Sequence, residues 1–154
     1  MIERSFIFFP EKTITTTPSD FAIDFEDVYF MTVDGVRLHG WFIPGENNIT
    51  WIWFHGNAGN ISHRLENLSL IREYLGVNIF LFDYRGYGWS EGEVSEEGTY
   101  RDADAALVHI LSRQDVDPAK IVLFGRSMGC AVAVDLAYRN ELCALIIELS
   151  LIHI

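Results

Sequence analysis

Three short strings hold the residues able to do chemistry. In Gly125-Arg126-Ser127-Met128-Gly129, a serine sits between glycines two before and two after it. An apolar β-branched run, Ile121 to Phe124, precedes this string, and a small-residue run, Cys130 to Val134, follows it. Strand, G-x-S-x-G, helix is the pattern of a sharp turn that holds a serine hydroxyl above a sheet. The helix N-terminus beneath favours developing negative charge. The chemistry expected is nucleophilic attack by Ser127. The second string is His55-Gly56-Asn57-Ala58-Gly59-Asn60, and the third runs from Asp83 to Ser90.

The elements that must position these strings are legible from hydropathy. Val28 to Val33 and Val36 to Ile43 read as an antiparallel hairpin closed by Asp34-Gly35, with residues 21–27 as a lead-in loop. Trp51 to Phe54 is a continuous apolar run, as expected of a strand buried on both faces. Ile61, Leu65, Leu68, Ile71 and Leu75 recur at helical spacing, and Gly76 is a stop. Val77 to Phe82 reads as another buried strand. Glu96 and Glu97 suit the first turn of a helix whose core face is Tyr100, Ala103, Leu107, Ile110 and Leu111. Strand 121–124, the serine turn and its helix follow, and Asn140 is a plausible helix end. Ala144 to Ile147 begins a further buried strand. This alternation predicts an α/β fold: an antiparallel hairpin, then a mostly parallel sheet with helices on both faces. Ligands of such sheets bind at the carboxyl ends of the strands, where His55, Asp83 and Ser127 all fall.

Composition bounds the rest. The 154 residues are 49% hydrophobic and 14% aromatic, enough for one domain with a real core. A formal charge of −11, from 22 acidic and 11 basic residues, argues against nucleic acid and anionic lipid as partners. The two cysteines, Cys130 and Cys143, have neither metal-ligand nor secreted-disulfide spacing, which points to a reducing, cytoplasmic compartment. Residues 2–9 are too short and too charged for a signal peptide or membrane span, so no anchor is expected in this chain. No metal or cofactor is implied.

The three strings, in this order on consecutive strand ends, resemble the α/β-hydrolase superfamily. HGNAGN and DYRGYG look like its branch of small, often membrane-anchored serine hydrolases, which includes protein depalmitoylases and bacterial esterases. That resemblance leaves membrane association open. It implies Ser127 as nucleophile, the backbone N–H of Met128 as one oxyanion donor and that of Asn57 as the other, with Ala58 a close competitor. Such donors matter because acyl transfer builds charge on the carbonyl oxygen.

Other residues have plainer readings. His55 precedes the oxyanion turn and reads as structural. Asp83 and Arg85 read as a loop-fixing ion pair or cap, His63 as a helix cap or surface residue, and Cys130 as packing. Tyr87 and Trp89 divide evenly between lining an acyl pocket and simple packing.

A serine also needs a base, and the base an orienting carboxylate. In the superfamily these follow the serine in the order acid, then histidine. After Ser127 come only Asp135, Glu141, Glu148 and His153. The tail from Leu149 to Ile154 back-translates to CTG-TCT-CTT-ATA-CAC-ATC, which resembles a transposon-end adapter of sequencing libraries. The expectation is a single domain over residues 1–148, the N-terminal part of a hydrolase, followed by a non-native read-through tail at 149–154. Such a fragment lacks the triad acid and base and is expected to be inactive. The parent function expected is a serine hydrolase of small-molecule or lipid-like acyl esters or thioesters. The alternatives are a serine peptidase of the same fold, or a non-catalytic binding or scaffold protein. Oligomeric state is not legible.

Overall fold

The structure is a computed structural model that describes residues 8–148. The tail at 149–154, with His153, lies outside the described residues, as do residues 1–7. The strands are β1 (Phe9–Pro10), β2 (Glu26–Met31), β3 (Arg37–Ile43), β4 (Thr50–Phe54), β5 (Ala58–Gly59), β6 (Asn78–Asp83), β7 (Ile121–Arg126) and β8 (Ala144–Glu148). The α-helices are α1 (Leu65–Leu75), α2 (Glu96–Ser112) and α3 (Met128–Arg139). Six strands form one sheet in the order β2-β3-β6-β4-β7-β8. The β2-β3 and β3-β6 pairings are antiparallel, and the remaining three are parallel. This is the expected hairpin followed by a parallel sheet.

Side-chain alternation along the central strands feeds two cores. Ile52 and Phe54 of β4, with Phe80 and Phe82 of β6, pack under α2 and α3 against Leu107, Ile110, Val132 and Leu136. Trp51 and Trp53, with Ile79 and Leu81, face the other way, onto Leu65 and Leu68 of α1. A strand covered on both faces needs apolar residues at every position, which is why β4 and β6 read as unbroken apolar runs.

The helices end as their residues dictate. The Ser95 hydroxyl accepts the Gly98 N–H at 3.1 Å and starts α2. The side chain of Asn140 donates to Leu136 O at 2.9 Å and closes α3. A 3-10 turn, Ile61–Arg64, precedes α1, so the helical spacing read from Ile61 spans two elements.

Three expectations change. The β2-β3 connection is a three-residue turn rather than a two-residue one: Thr32 N–H donates to Val36 O, and Thr32 Oγ1 takes the Val36 N–H at 2.9 Å. Gly35, at φ +79°, supplies the left-handed residue this loop needs. The segment 21–27 read as a lead-in loop holds the last residue of the turn Pro18–Phe21 and the first two residues of β2. Finally, β8 is a strand as expected, but it is not buried: all five of its residues are exposed.

Candidate active site

Register brings the strings together. Phe54 of β4 pairs with Gly125 of β7, so the chain leaves both strands side by side at their carboxyl ends. His55-Gly56 and Arg126-Ser127 therefore emerge as neighbours. A Cβ built on Gly56 would lie 3.4 Å from Ser127 Cβ and 3.9 Å from its Oγ.

Ser127 has φ 52° and ψ −120°, a positive-φ conformation that costs a non-glycine residue about 1–3 kcal/mol. It is the residue before α3, yet its side chain makes no capping hydrogen bond. That separates it from an ordinary cap serine. The strain is held from both sides. Ser127 N–H donates to Glu148 O on β8, and Cys130 N–H donates to Ser127 O, both at 3.0 Å. Close packing of α3 against the sheet demands glycine at the turn. A Cβ on Gly129 would fall 2.0 Å from Phe54 O, and one on Gly125 would fall 2.7 Å from Gly129 O.

The turn after β4 is stabilised from several directions. His55 is fully buried; one ring nitrogen sits 2.7 Å from Gly56 O and the other 3.3 Å from the buried Asp83 carboxylate. Asp83 also accepts the Ile61 N–H at 3.0 Å. Beyond the turn, β5 pairs with β1, with Phe9 opposite Ala58. Asn57 Oδ1 accepts Phe9 N–H and Tyr87 O–H, both at 3.1 Å. Arg64 donates through Nη2 to Ala58 O and reaches Gly56 O at 3.5 Å. His63 accepts the Asn60 N–H through Nδ1 at 3.1 Å.

Ser127 and Asn57 line one cleft of about 450 Å3, together with Gly56, Ala58, His63, Arg64, Glu66, Asn67 and Arg126. Met128 lines a smaller apolar cavity of about 170 Å3 with Phe8, Tyr100 and Val132, among others. Of the three residues picked out from the sequence, Ser127 and Asn57 thus share one polar cleft, whereas Met128, next to Ser127 in the chain, lines a separate apolar cavity. Burial, and then the charge of neighbouring Arg126, lower the Arg64 guanidinium below its ordinary value.

Some readings need correction. Asp83 and Arg85 do not pair with each other. Asp83 lies under His55, whereas Arg85 bonds Asp102 through Nε at 2.9 Å and Asp34 through Nη1 at 2.8 Å. Tyr87 is fully buried beneath the turn, and Trp89 packs on the His39 ring, so neither lines the apolar cavity. Cys130 is packing, as read: its thiol is buried near Gly125 O, and burial pushes its pKa up. From sequence, Arg64, Arg126 and Phe8 carried no role, and Tyr100 read only as part of a helix's core face. Arg126 was the one within reach, since it adjoins the serine inside the motif.

The match to known families follows this geometry. Residues 42–145 match the model of the alpha/beta hydrolase fold. The chain belongs to this family. Among curated relatives of this chain, the alpha/beta hydrolase domain-containing protein WAV2 of Arabidopsis thaliana is 44% identical over 142 residues, covering 89% of this chain and 46% of that protein. Protein bem46 of Schizosaccharomyces pombe is 36% identical over 138 residues, covering 86% of this chain and 46% of that protein. The chain spans about half the length of the curated relatives it matches. A solved esterase of Pyrococcus furiosus superposes with a TM-score of 0.76 at 26% identity, covering 90% of this chain and 55% of the esterase. Among the described residues, no helix is long and apolar enough to cross a membrane. Nor, among them, does any group of three or more His, Cys, Asp or Glu side chains form a metal site.

Proposed function

We propose that this chain supplies the nucleophile and oxyanion hole of a serine hydrolase that cleaves carboxylic esters or thioesters. The strained, uncapped Ser127 at the carboxyl end of β7 carries the reading. Its Oγ attacks the carbonyl carbon and passes its proton to a base. Charge gathers on the carbonyl oxygen, where the N–H groups of Met128 and Asn57 receive it, each such donor being worth about 3–4 kcal/mol. The alcohol or thiol leaves with a proton, an acyl-Ser127 remains, and water then releases the acid. The apolar cavity beside Met128 offers room for the acyl chain.

The base is not supplied by the histidines near the cleft. His55 is buried against Gly56 O and Asp83, and His63 is engaged by the Asn60 N–H and faces Glu11 at 3.7 Å. We assign the triad acid and histidine to the half of the relatives' length that this chain does not span. On that assignment the 154-residue polypeptide hydrolyses short p-nitrophenyl esters no faster than its Ser127→Ala variant. The occupied imidazoles equally fit a non-catalytic binding protein of this fold, and a fluorophosphonate probe separates the two. In the longer protein, labelling that disappears in Ser127→Ala is the expected result. Labelling that persists in Ser127→Ala, or never occurs, overturns the hydrolase reading.

A further inference from the structure

The cleft beside Ser127 contains more positive charge than its surroundings explain. The chain has a formal charge of −11, yet two guanidiniums, Arg64 and Arg126, line this one cleft against a single carboxylate, Glu66. The buried Asp83 carboxylate acts on Arg64 more weakly than the repulsive Arg126, and Arg64 makes no ion pair among the described residues. Its Nη2 is spent on the Ala58 and Gly56 carbonyls, and its Nε is buried without a hydrogen-bond partner. Arg126 meets Glu148 only through Nε, at 3.4 Å, and its two terminal nitrogens make no hydrogen bond among the described residues. Desolvating a guanidinium without a counter-charge is costly. Keeping two together against mutual repulsion makes physical sense where an anion completes them, because the guanidinium fork matches carboxylate and phosphate oxygens.

We infer that Arg64 and Arg126 form a recognition site for an anionic group, a carboxylate or a phosphate monoester, on the substrate that Ser127 attacks. The inference deepens the proposed hydrolase reading and rests on it for the word substrate; the anion site itself does not. Because Arg126 adjoins the nucleophile, the anionic group lies within a few bonds of the scissile carbonyl. The molecule recognised then has an apolar acyl part for the cavity at Met128 and a charged part for the guanidiniums.

The test separates binding from chemistry. The Ser127→Ala chain, 15N-labelled, is titrated with monoethyl glutarate, monoethyl phosphate and neutral diethyl glutarate while amide shifts are followed. The two anions are expected to bind at least about tenfold more tightly than the diester, the worth of one charge-assisted hydrogen bond, and added salt weakens them. Whichever anion binds more tightly identifies the group. Arg64 also holds the turn, so Arg126→Gln, which leaves that contact in place, is the decisive variant and removes the preference. Glu148→Gln frees Arg126 and tightens anion binding. Equal binding of anions and diester, or a preference unchanged in Arg126→Gln, overturns the inference. Separately, the longer protein is offered p-nitrophenyl hemiglutarate and p-nitrophenyl valerate. Acylation of Ser127 faster by the hemiester supports the inference. Acylation by neither, with the binding preference intact, sinks the hydrolase reading and leaves the anion site standing.

Discussion

At the scale of single residues, Ser127 sets function against stability. Its positive φ is tolerated because β8 and α3 hold it from both sides. Ser127→Gly removes the strain without removing either backbone hydrogen bond. The variant should be more stable by about 1 kcal/mol, read as a higher urea midpoint at unchanged slope, while fluorophosphonate labelling of the longer protein disappears. A variant less stable than wild type would mean that the strain is not stored at this residue. Gly129→Ala should act in the opposite sense. Its Cβ would overlap Phe54 O, so α3 must move off the sheet, at a cost of about 1–3 kcal/mol. Both positions were legible because the constraint is local: a strand, a tight turn and a helix within ten residues. Arg64 was not legible, because its meaning lies in Ala58 and Arg126, which only folding places beside it.

At the scale of elements, Arg85 joins three pieces far apart in sequence. Its backbone N–H and its Nε bond Asp102 of α2 at 2.8 and 2.9 Å, and its terminal nitrogens bond Asp34 of the β2-β3 turn at 2.8 and 3.0 Å. Arg101 adds a further bond to Asp34 at 3.0 Å. The nearby Asp83 was the partner expected from sequence. The actual partners stand 17 and 51 residues away, and no periodicity reports such pairing. Burial pushes the Asp102 carboxyl up to about 6, while the Arg85 bonds pull it down. Arg85→Met leaves that buried carboxyl with the backbone N–H of residue 85 but no counter-charge, and should cost about 3–5 kcal/mol. Adding Asp102→Leu should recover most of the loss in the same unfolding assay. Asp34 has the other sign. Hydrogen bonds from Arg85, then Thr32, hold its carboxyl well below the usual carboxylate range. A carboxyl depressed on folding contributes stability that is present above its unfolded value, about pH 3.9, and is lost as pH falls below it. Wild type should therefore exceed Asp34→Asn in stability by about 1–3 kcal/mol from pH 5 to 7, and the gap should close below about pH 4. A gap that instead widens on acidification would show that Asp34 is not ionised in the fold.

At the scale of the molecule, the central strands of the sheet are covered on both faces and β2 alternates buried and exposed, whereas β8 is exposed along its whole length. The apolar run Ala144 to Ile147 reads as a buried parallel strand, and it does pair with β7 in parallel, Leu123 opposite Leu145. Hydropathy reported that the strand needs cover, which is a property of its residues. Cover itself is a property of neighbours, and among the described residues none lies on the far side of β8. Leu145, Ile146 and Ile147 remain 37%, 37% and 42% exposed. The curated relatives are about twice as long as the part matched here, so a longer protein has chain available to cover this edge. An apolar strand with one free hydrogen-bonding edge is a template for pairing with a second copy. The 154-residue polypeptide should therefore scatter light increasingly with concentration and bind a hydrophobic dye. Ile146→Lys places a charge in the middle of the exposed strand, where it repels a second edge and leaves the β7 backbone pairing intact. It should raise the soluble fraction several-fold without shifting the urea midpoint by more than about 0.5 kcal/mol equivalent. Because β8 also accepts the Ser127 N–H, self-association here would reach the nucleophile's support directly. Scattering unchanged by Ile146→Lys would move the source of association to another face, such as the exposed Tyr138 of α3.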